Sequence, residues 1–85
     1  MSFELSTHVY GRLELRKFSE EDLLRVLNSP EQVLTQADGT KVYQSRLTIN
    51  GKVYLLREFV NDAVEPNRVK SVYRTSQIKK YWRSS

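Results

Sequence analysis

The dipeptide Asn50-Gly51 stands between two runs rich in β-forming residues, and it constrains the fold more than any other feature of the chain. A type I′ turn needs positive φ at both central residues, which asparagine and glycine tolerate best. A two-residue turn also fixes the register of the flanking strands, so we expect Leu47 to lie opposite Tyr54. The sequence therefore predicts a β-hairpin over residues 41–60.

Alternation along the two predicted strands gives the hairpin two different faces. One face is mostly apolar, and we expect it to face the core; it carries Tyr43, Leu47, Ile49, Tyr54 and Leu56. The other face mixes apolar, polar and basic side chains, namely Val42, Gln44, Arg46, Thr48, Val53, Leu55, Arg57 and Phe59. We interpret this second face as the candidate functional side, although its apolar residues also require cover.

Helix signals precede the hairpin. Apolar residues four apart predict a first helix over residues 5–17. Ser19, with Asp22 three positions later, is typical of the start of a second helix. Pro30 ends that helix, because the residue before a proline avoids helical backbone.

Two further strands flank the hairpin, over residues 32–36 and 68–75, and a last short helix follows Ser76. We expect Trp82 and the tyrosine before it to pack back onto the domain, because exposed apolar surface of that size is unusual. Short connections between consecutive strands favour an antiparallel meander. The sequence thus predicts a single α+β domain over residues 1–85, with two N-terminal helices packed on a four-stranded antiparallel sheet and a short C-terminal helix.

Composition excludes several functional classes. The 85 residues include no cysteine and one histidine, which excludes a disulfide framework, a cysteine nucleophile and a multi-histidine metal site. Nothing resembles a nucleotide-binding loop or a catalytic triad, and we expect no cofactor and no metal. No signal peptide or membrane-length apolar run is present, so we expect a cytoplasmic protein without membrane contact. The net charge of +4 favours a polyanionic partner.

Basic and aromatic side chains remain as candidates for function. His8, Arg12 and Arg16 recur four apart and form one stripe of the predicted first helix, for which a solvated basic face is the alternative interpretation. Arginine stabilises the charge of a phosphorane and histidine or tyrosine moves a proton, so the set suits phosphodiester cleavage without metal. It suits plain RNA binding equally well. The full set is His8, Arg12, Arg16, Arg46, Arg57, Tyr73, Arg74, Lys79, Lys80, Tyr81 and Trp82.

Three stretches form a specific combination. They are His8-x3-Arg12-x3-Arg16 followed by the capped helix start, then Asn28-Ser-Pro-Glu, and finally Val72-Tyr-Arg-Thr75. Together they resemble the DUF4258 family of small, mostly bacterial proteins, which is named for its unknown function. That family is similar in layout to the RelE/ParE-like and BrnT-like toxins of type II toxin–antitoxin systems. Lys17 departs from the pattern, since many relatives have glycine there.

The resemblance implies a RelE-like fold and an activity on RNA. RelE-like toxins cut mRNA, often on the ribosome, with basic residues and a tyrosine or histidine and without metal, whereas ParE-like relatives act on DNA gyrase. We therefore expect a metal-independent endoribonuclease toxin that a small acidic antitoxin neutralises. The alternative is a non-catalytic RNA- or protein-binding module of the same fold. In the first case His8, Arg12, Arg16 and Tyr73 are catalytic, and Arg46, Arg57, Arg74, Lys79 and Lys80 bind RNA.

Overall fold

The computed structural model describes residues 3–6 and 19–83, and its centre is one five-stranded sheet. In chain order the elements are β1 (Phe3–Leu5), α1 (Glu20–Asn28), β2 (Gln32–Thr35), β3 (Lys41–Ile49), β4 (Lys52–Asn61), β5 (Asn67–Thr75) and α2 (Ile78–Tyr81). The strand order is β1-β5-β4-β3-β2. Neighbouring strands are antiparallel except for β1 and β5, which are parallel, so the sheet is mixed.

The predicted hairpin between β3 and β4 is confirmed. Asn50 has φ of 51° and Gly51 has φ of 80°, as a two-residue turn of this type requires. The register pairs Leu47 with Tyr54, as expected from the turn. The turn chemistry alone therefore fixes which side chains of β3 and β4 share a face.

Replacing Gly51 by valine is expected to destabilise the protein by about 1 kcal/mol or more, because a β-branched residue tolerates positive φ poorly. A Cβ atom at this position would meet no atom within 4 Å, so the loss comes from the backbone and not from a clash. Chemical denaturation measures the change. Asn50→Gly is the matched control, since glycine keeps the turn conformation accessible. A Gly51→Val protein with the wild-type midpoint would contradict the assigned turn.

Helix α1 begins and ends where the sequence predicts. The Ser19 hydroxyl accepts a hydrogen bond from the Asp22 backbone N–H at 3.0 Å, which caps the helix. The helix ends at Asn28, and the Ser29 N–H donates to the Arg25 carbonyl at 2.9 Å. The helix has one apolar side, and this side faces the sheet.

Helix α1 packs on one face of the sheet and forms the core there. The buried cluster consists of Leu23, Val26, Leu27, Leu47, Leu56, Val60, Val69 and Val72. Tyr43 and Ile49 pack against it, which confirms the predicted core face of the hairpin. The face that carries α1 is called the α1 face below.

The predicted fold class is wrong. Within the described residues the sheet has five strands and is mixed, and one nine-residue helix and one four-residue helix accompany it. Leu5 belongs to β1 and not to a helix, and it pairs with Val69. A three-residue strand is too short to show alternation, and its partner lies 64 positions away, so no local signal identifies it. Residues 7–17 of the predicted first helix lie outside the described residues.

Residues 76–83, called the C-terminal segment below, lie on the face opposite α1. Ser76 does not cap α2; the cap is Gln77, which makes no side-chain capping bond. Val42 and Leu55 on this face are fully buried. Tyr81 and Trp82 are half-buried against the sheet, which confirms that they pack back onto the domain. In the described part of the chain, neither helix has the length and apolar character needed to cross a membrane.

Candidate functional site

A row of polar side chains crosses four strands beneath the C-terminal segment. Cross-strand pairing joins Gln32 to Gln44, Gln44 to Arg57, and Arg57 to Tyr73. Because paired residues point to the same face, all four side chains meet on the face opposite α1. These four residues are called the polar row below.

Hydrogen bonds connect the polar row from end to end. The Arg57 guanidinium donates from Nε to Gln44 Oε1 at 2.9 Å and from Nη1 to the Tyr73 hydroxyl at 2.6 Å. The Gln44 amide donates to Gln32 Oε1 at 2.7 Å and to the Tyr81 carbonyl at 3.3 Å. Gln32 Nε2 donates to the backbone carbonyl of Arg83 at 2.6 Å. The row therefore binds the C-terminal segment to the sheet.

Three aromatic rings surround the Arg57 guanidinium. Its Cζ atom lies 4.4 Å from the Tyr81 ring centroid, 5.4 Å from that of Phe59 and 5.7 Å from that of Tyr73. Tyr73 stacks with Phe59 and meets Tyr81 edge to face. Cations on ring faces are attracted by the ring quadrupole, most strongly when they are desolvated. Within this cage Arg57 as a whole is 8% exposed.

Arg57 has no carboxylate partner among the described residues. The ion pairs there are Lys41–Asp62, Arg46–Glu31 and Arg68–Glu4, none of which includes it. Of its five N–H groups, two donate to described residues, and Nη2 donates to none of them. Buried charges are normally paired, because an isolated charge costs several kcal/mol to desolvate. Nη2 can therefore donate hydrogen bonds to a bound anion.

The two tyrosine hydroxyls beside Arg57 have pKa values shifted in opposite directions. Burial raises the pKa of Tyr73, against the opposing effect of the Arg57 hydrogen bond. A hydrogen bond with Tyr73, followed by one with Lys80, lowers the pKa of Tyr81. Neighbouring groups with divergent pKa values are what acid–base pairs require. Tyr73 therefore holds its proton more tightly than an ordinary tyrosine, and Tyr81 holds its proton less tightly.

Three of the other predicted RNA-binding residues, Lys79, Lys80 and Arg46, lie in two different environments. Lys79 and Lys80 are exposed on α2 and line a groove of about 500 Å³. Arg46 lies on the same face, but its Nε and Nη2 donate to the Glu31 carboxylate, at 3.1 and 3.0 Å. That pairing lowers the pKa of the Glu31 carboxyl, and Trp82 covers the Arg46 guanidinium at 4.3 Å.

The predicted site is not one cluster. Arg74 pairs with Leu56 and so lies on the α1 face, opposite Arg57. His8, Arg12 and Arg16 lie outside the described residues, and their catalytic role stays a prediction. Among the predicted residues, the structure brings Arg57 into contact with Tyr73 and Tyr81, and Arg46 into contact with Trp82.

Sequence reasoning missed two features of this region. Gln44 joins Arg57 to the neighbouring strand, and the hairpin register could have shown this, since the two residues are directly opposite. Glu58 is fully buried on the α1 face, and neither of its carboxyl oxygens has a hydrogen-bond partner among the residues that the structure describes. Alternation from Leu56 also places Glu58 on that face, so the signal was present in the sequence.

Within residues 3–6 and 19–83, no group of three or more histidine, aspartate or glutamate side chains is placed to hold a metal ion. Comparison of the chain with protein-family models, curated proteins and solved structures finds no match. The resemblance to DUF4258 therefore stays a prediction.

Proposed function

We propose that this protein is a cytoplasmic RNA-binding toxin that cleaves RNA without a metal ion and is neutralised by a small acidic antitoxin. The observation that supports the proposal is the buried Arg57 side chain, which has no carboxylate partner among the described residues and contacts the Tyr73 hydroxyl and the rings of both Tyr73 and Tyr81. A phosphodiester supplies the missing anion. The same group then gains negative charge as it reacts, which a fixed cation stabilises.

The chemistry needs two proton transfers. The RNA 2′-hydroxyl attacks the adjacent phosphorus and gives its proton to the deprotonated oxygen of Tyr81. The bond from phosphorus to O5′ breaks, and O5′ takes the proton of Tyr73. The products are a 2′,3′-cyclic phosphate end and a 5′-hydroxyl end. Tyr81 and Tyr73 lie side by side, and exchange of a proton with water returns each of them to its starting state.

Binding of the RNA strand involves the cations of α2. Lys79 and Lys80 line the groove beside the tyrosine pair, and Lys80 Nζ lies 5.3 Å from the Tyr81 ring centroid. Phosphate contacts by lysine position a strand without reading its sequence. Arg46 can join them by exchanging Glu31 for a phosphate. His8, Arg12 and Arg16 are retained in the proposal as further catalytic residues.

Replacing Tyr73 or Tyr81 by phenylalanine is expected to lower the single-turnover rate of RNA cleavage about 10²–10⁴-fold while RNA affinity changes little. Phenylalanine keeps the ring that cages Arg57 and removes the hydroxyl, which at Tyr73 also accepts a hydrogen bond from Arg57. Tyr43→Phe is the matched control, since Tyr43 lies on the α1 face. The rate of the wild type should rise with pH as Tyr81 loses its proton, and Tyr81→Phe should lack this rise. Cleavage that survives both substitutions would refute the assigned chemistry.

A non-catalytic binding module of RNA or protein is the second candidate. It is favoured by one observation: among the described residues, three of the six side-chain hydrogen bonds of the polar row hold the C-terminal segment, through Tyr81 and Arg83. On this alternative the tyrosine hydroxyls serve stability only. Tyr73→Phe would then lower the melting temperature and leave RNA binding intact, with no cleavage in the wild type.

A further inference from the structure

We propose a second RNA-binding site at the tip of the β3–β4 hairpin, on the α1 face. It consists of Tyr54, Lys52 and Arg74 and is called the tip site below. This inference rests on the proposed function, since it names a further contact of the same RNA strand. The ligand is the phosphate backbone of single-stranded RNA.

Two cations converge on one aromatic ring in the tip site. The Arg74 Cζ atom lies 4.3 Å from the Tyr54 ring centroid, and the Lys52 ammonium nitrogen lies 5.5 Å from it. Each contact is favourable by itself, but like charges held around one ring repel each other. A strand of phosphates that contacts both cations offsets that repulsion.

Among the described residues, the two cations of the tip site have no other partner. Arg74 and Lys52 form no ion pair or hydrogen bond with any residue that the structure describes, and Arg74 is half-buried. Arginine offers a fork of donors that matches phosphate, and lysine adds a point charge. The unused donors of a half-buried arginine therefore favour a ligand with several anionic oxygens.

The tip site lies at an open edge of the sheet. Strand β5 ends at Thr75, which pairs with Leu55, so the first three residues of β4 have no neighbour on that side within the described residues. Arg74 pairs with Leu56, the residue directly before Arg57. The two arginines therefore lie on adjacent rows of the sheet and on opposite faces. A strand of RNA held at Arg57 reaches the tip site by passing over this edge.

The experiment compares Arg74→Gln, Lys52→Gln and the double variant with Arg68→Gln. Arg68 is an exposed cation on the same strand as Arg74, but it is paired with Glu4, so its replacement gives the same change in net charge at a different place. Binding of a labelled single-stranded RNA oligonucleotide is measured by fluorescence anisotropy over a series of salt concentrations. Each tip-site substitution should weaken binding and reduce the slope of log affinity against log salt by about 0.7. The double variant should lose roughly twice that slope.

The outcomes separate this inference from the proposed cleavage. Loss of affinity and slope in the tip-site variants alone supports the inference, whether or not the wild type cleaves RNA. Tip-site variants that bind RNA as Arg68→Gln does overturn it, even where the Tyr73→Phe result upholds cleavage. Absence of RNA binding in the wild type overturns both proposals. Poly-L-glutamate is tested as a mimic of an acidic protein. If it binds the wild type more tightly than RNA does, and binds the double variant only weakly, the tip site binds an acidic protein and the proposed RNA site is overturned.

Discussion

Replacing Glu58 by glutamine will raise the melting temperature at neutral pH and remove most of its dependence on pH. Glu58 is fully buried beneath α1, between Leu56 and Val60 along β4, and neither carboxyl oxygen has a partner among the described residues. Burial raises the pKa of this carboxyl from 4.5 to about 9. The folded protein therefore keeps Glu58 protonated at neutral pH, whereas the unfolded chain releases the proton.

The direction of the pH effect follows from that difference. Below pH 4.5 the folded and unfolded chains both hold the proton, and the contribution of the group to stability is complete. As the pH rises from there to about 9, the unfolded chain gains stability by ionising and the folded chain does not. The free energy of unfolding thus falls by about 1.4 kcal/mol for each pH unit across this window. Glutamine has no proton to lose, so the fall disappears.

Melting temperatures of both proteins over a range from about pH 5 to about pH 8 test this expectation. Glu21→Gln is the matched control, because Glu21 is exposed on α1, and it should retain the wild-type slope. Glu58→Met should be at least as stable as Glu58→Gln, since methionine leaves no buried polar atom without a partner. A Glu58→Gln protein that loses stability with pH as steeply as the wild type would show that another group is responsible.

Ending the chain after Ile78 is expected to cost about 3–5 kcal/mol, comparable to the removal of a large aromatic side chain from a core. The truncation removes Tyr81, which contacts Arg57, and Trp82, which covers Arg46. It also deprives the fully buried Gln44 of its Tyr81 acceptor. For a domain of this size the melting temperature should fall by more than about 10 °C.

Lys79→Ala is the control for this truncation, because Lys79 is exposed in the same segment, and it should melt close to the wild type. An unchanged melting temperature in the truncated chain would show that Tyr81 and Trp82 contribute little to stability. We would then infer that Tyr81 and Trp82 contact a partner at an interface.

Local sequence signals were sufficient to predict the hairpin and α1. Asn50-Gly51 determines both the turn and the register, and Ser19 marks the first turn of the helix through its own hydrogen bond. Each of these depends on residues only a few positions apart. Propensity and capping therefore predict them correctly.

The parts that could not be predicted depend on contacts between distant residues. β1 has three residues and pairs with β5 across 64 positions, which no periodicity reports. The register between β4 and β5 shifts between Phe59 and Val60. The pairing of Arg57 with Tyr73 therefore cannot be found by counting residues outward from the turn between these strands. The direction in which the C-terminal segment crosses the sheet is also a tertiary feature. The cage around Arg57 depends on the last two of these features, because Tyr73 lies on β5 and Tyr81 lies in the C-terminal segment.

The parallel pairing of β1 with β5 has a consequence for the order of folding. The meander from β2 to β5 is built from neighbouring hairpins, whose short loops cost little entropy to close, whereas β1 must close a loop of 64 positions. During synthesis β1 leaves the ribosome first, yet its partner follows roughly 3–13 s later at ordinary elongation rates. β1, the first strand of the sheet along the sequence, is therefore the last strand to join it during folding.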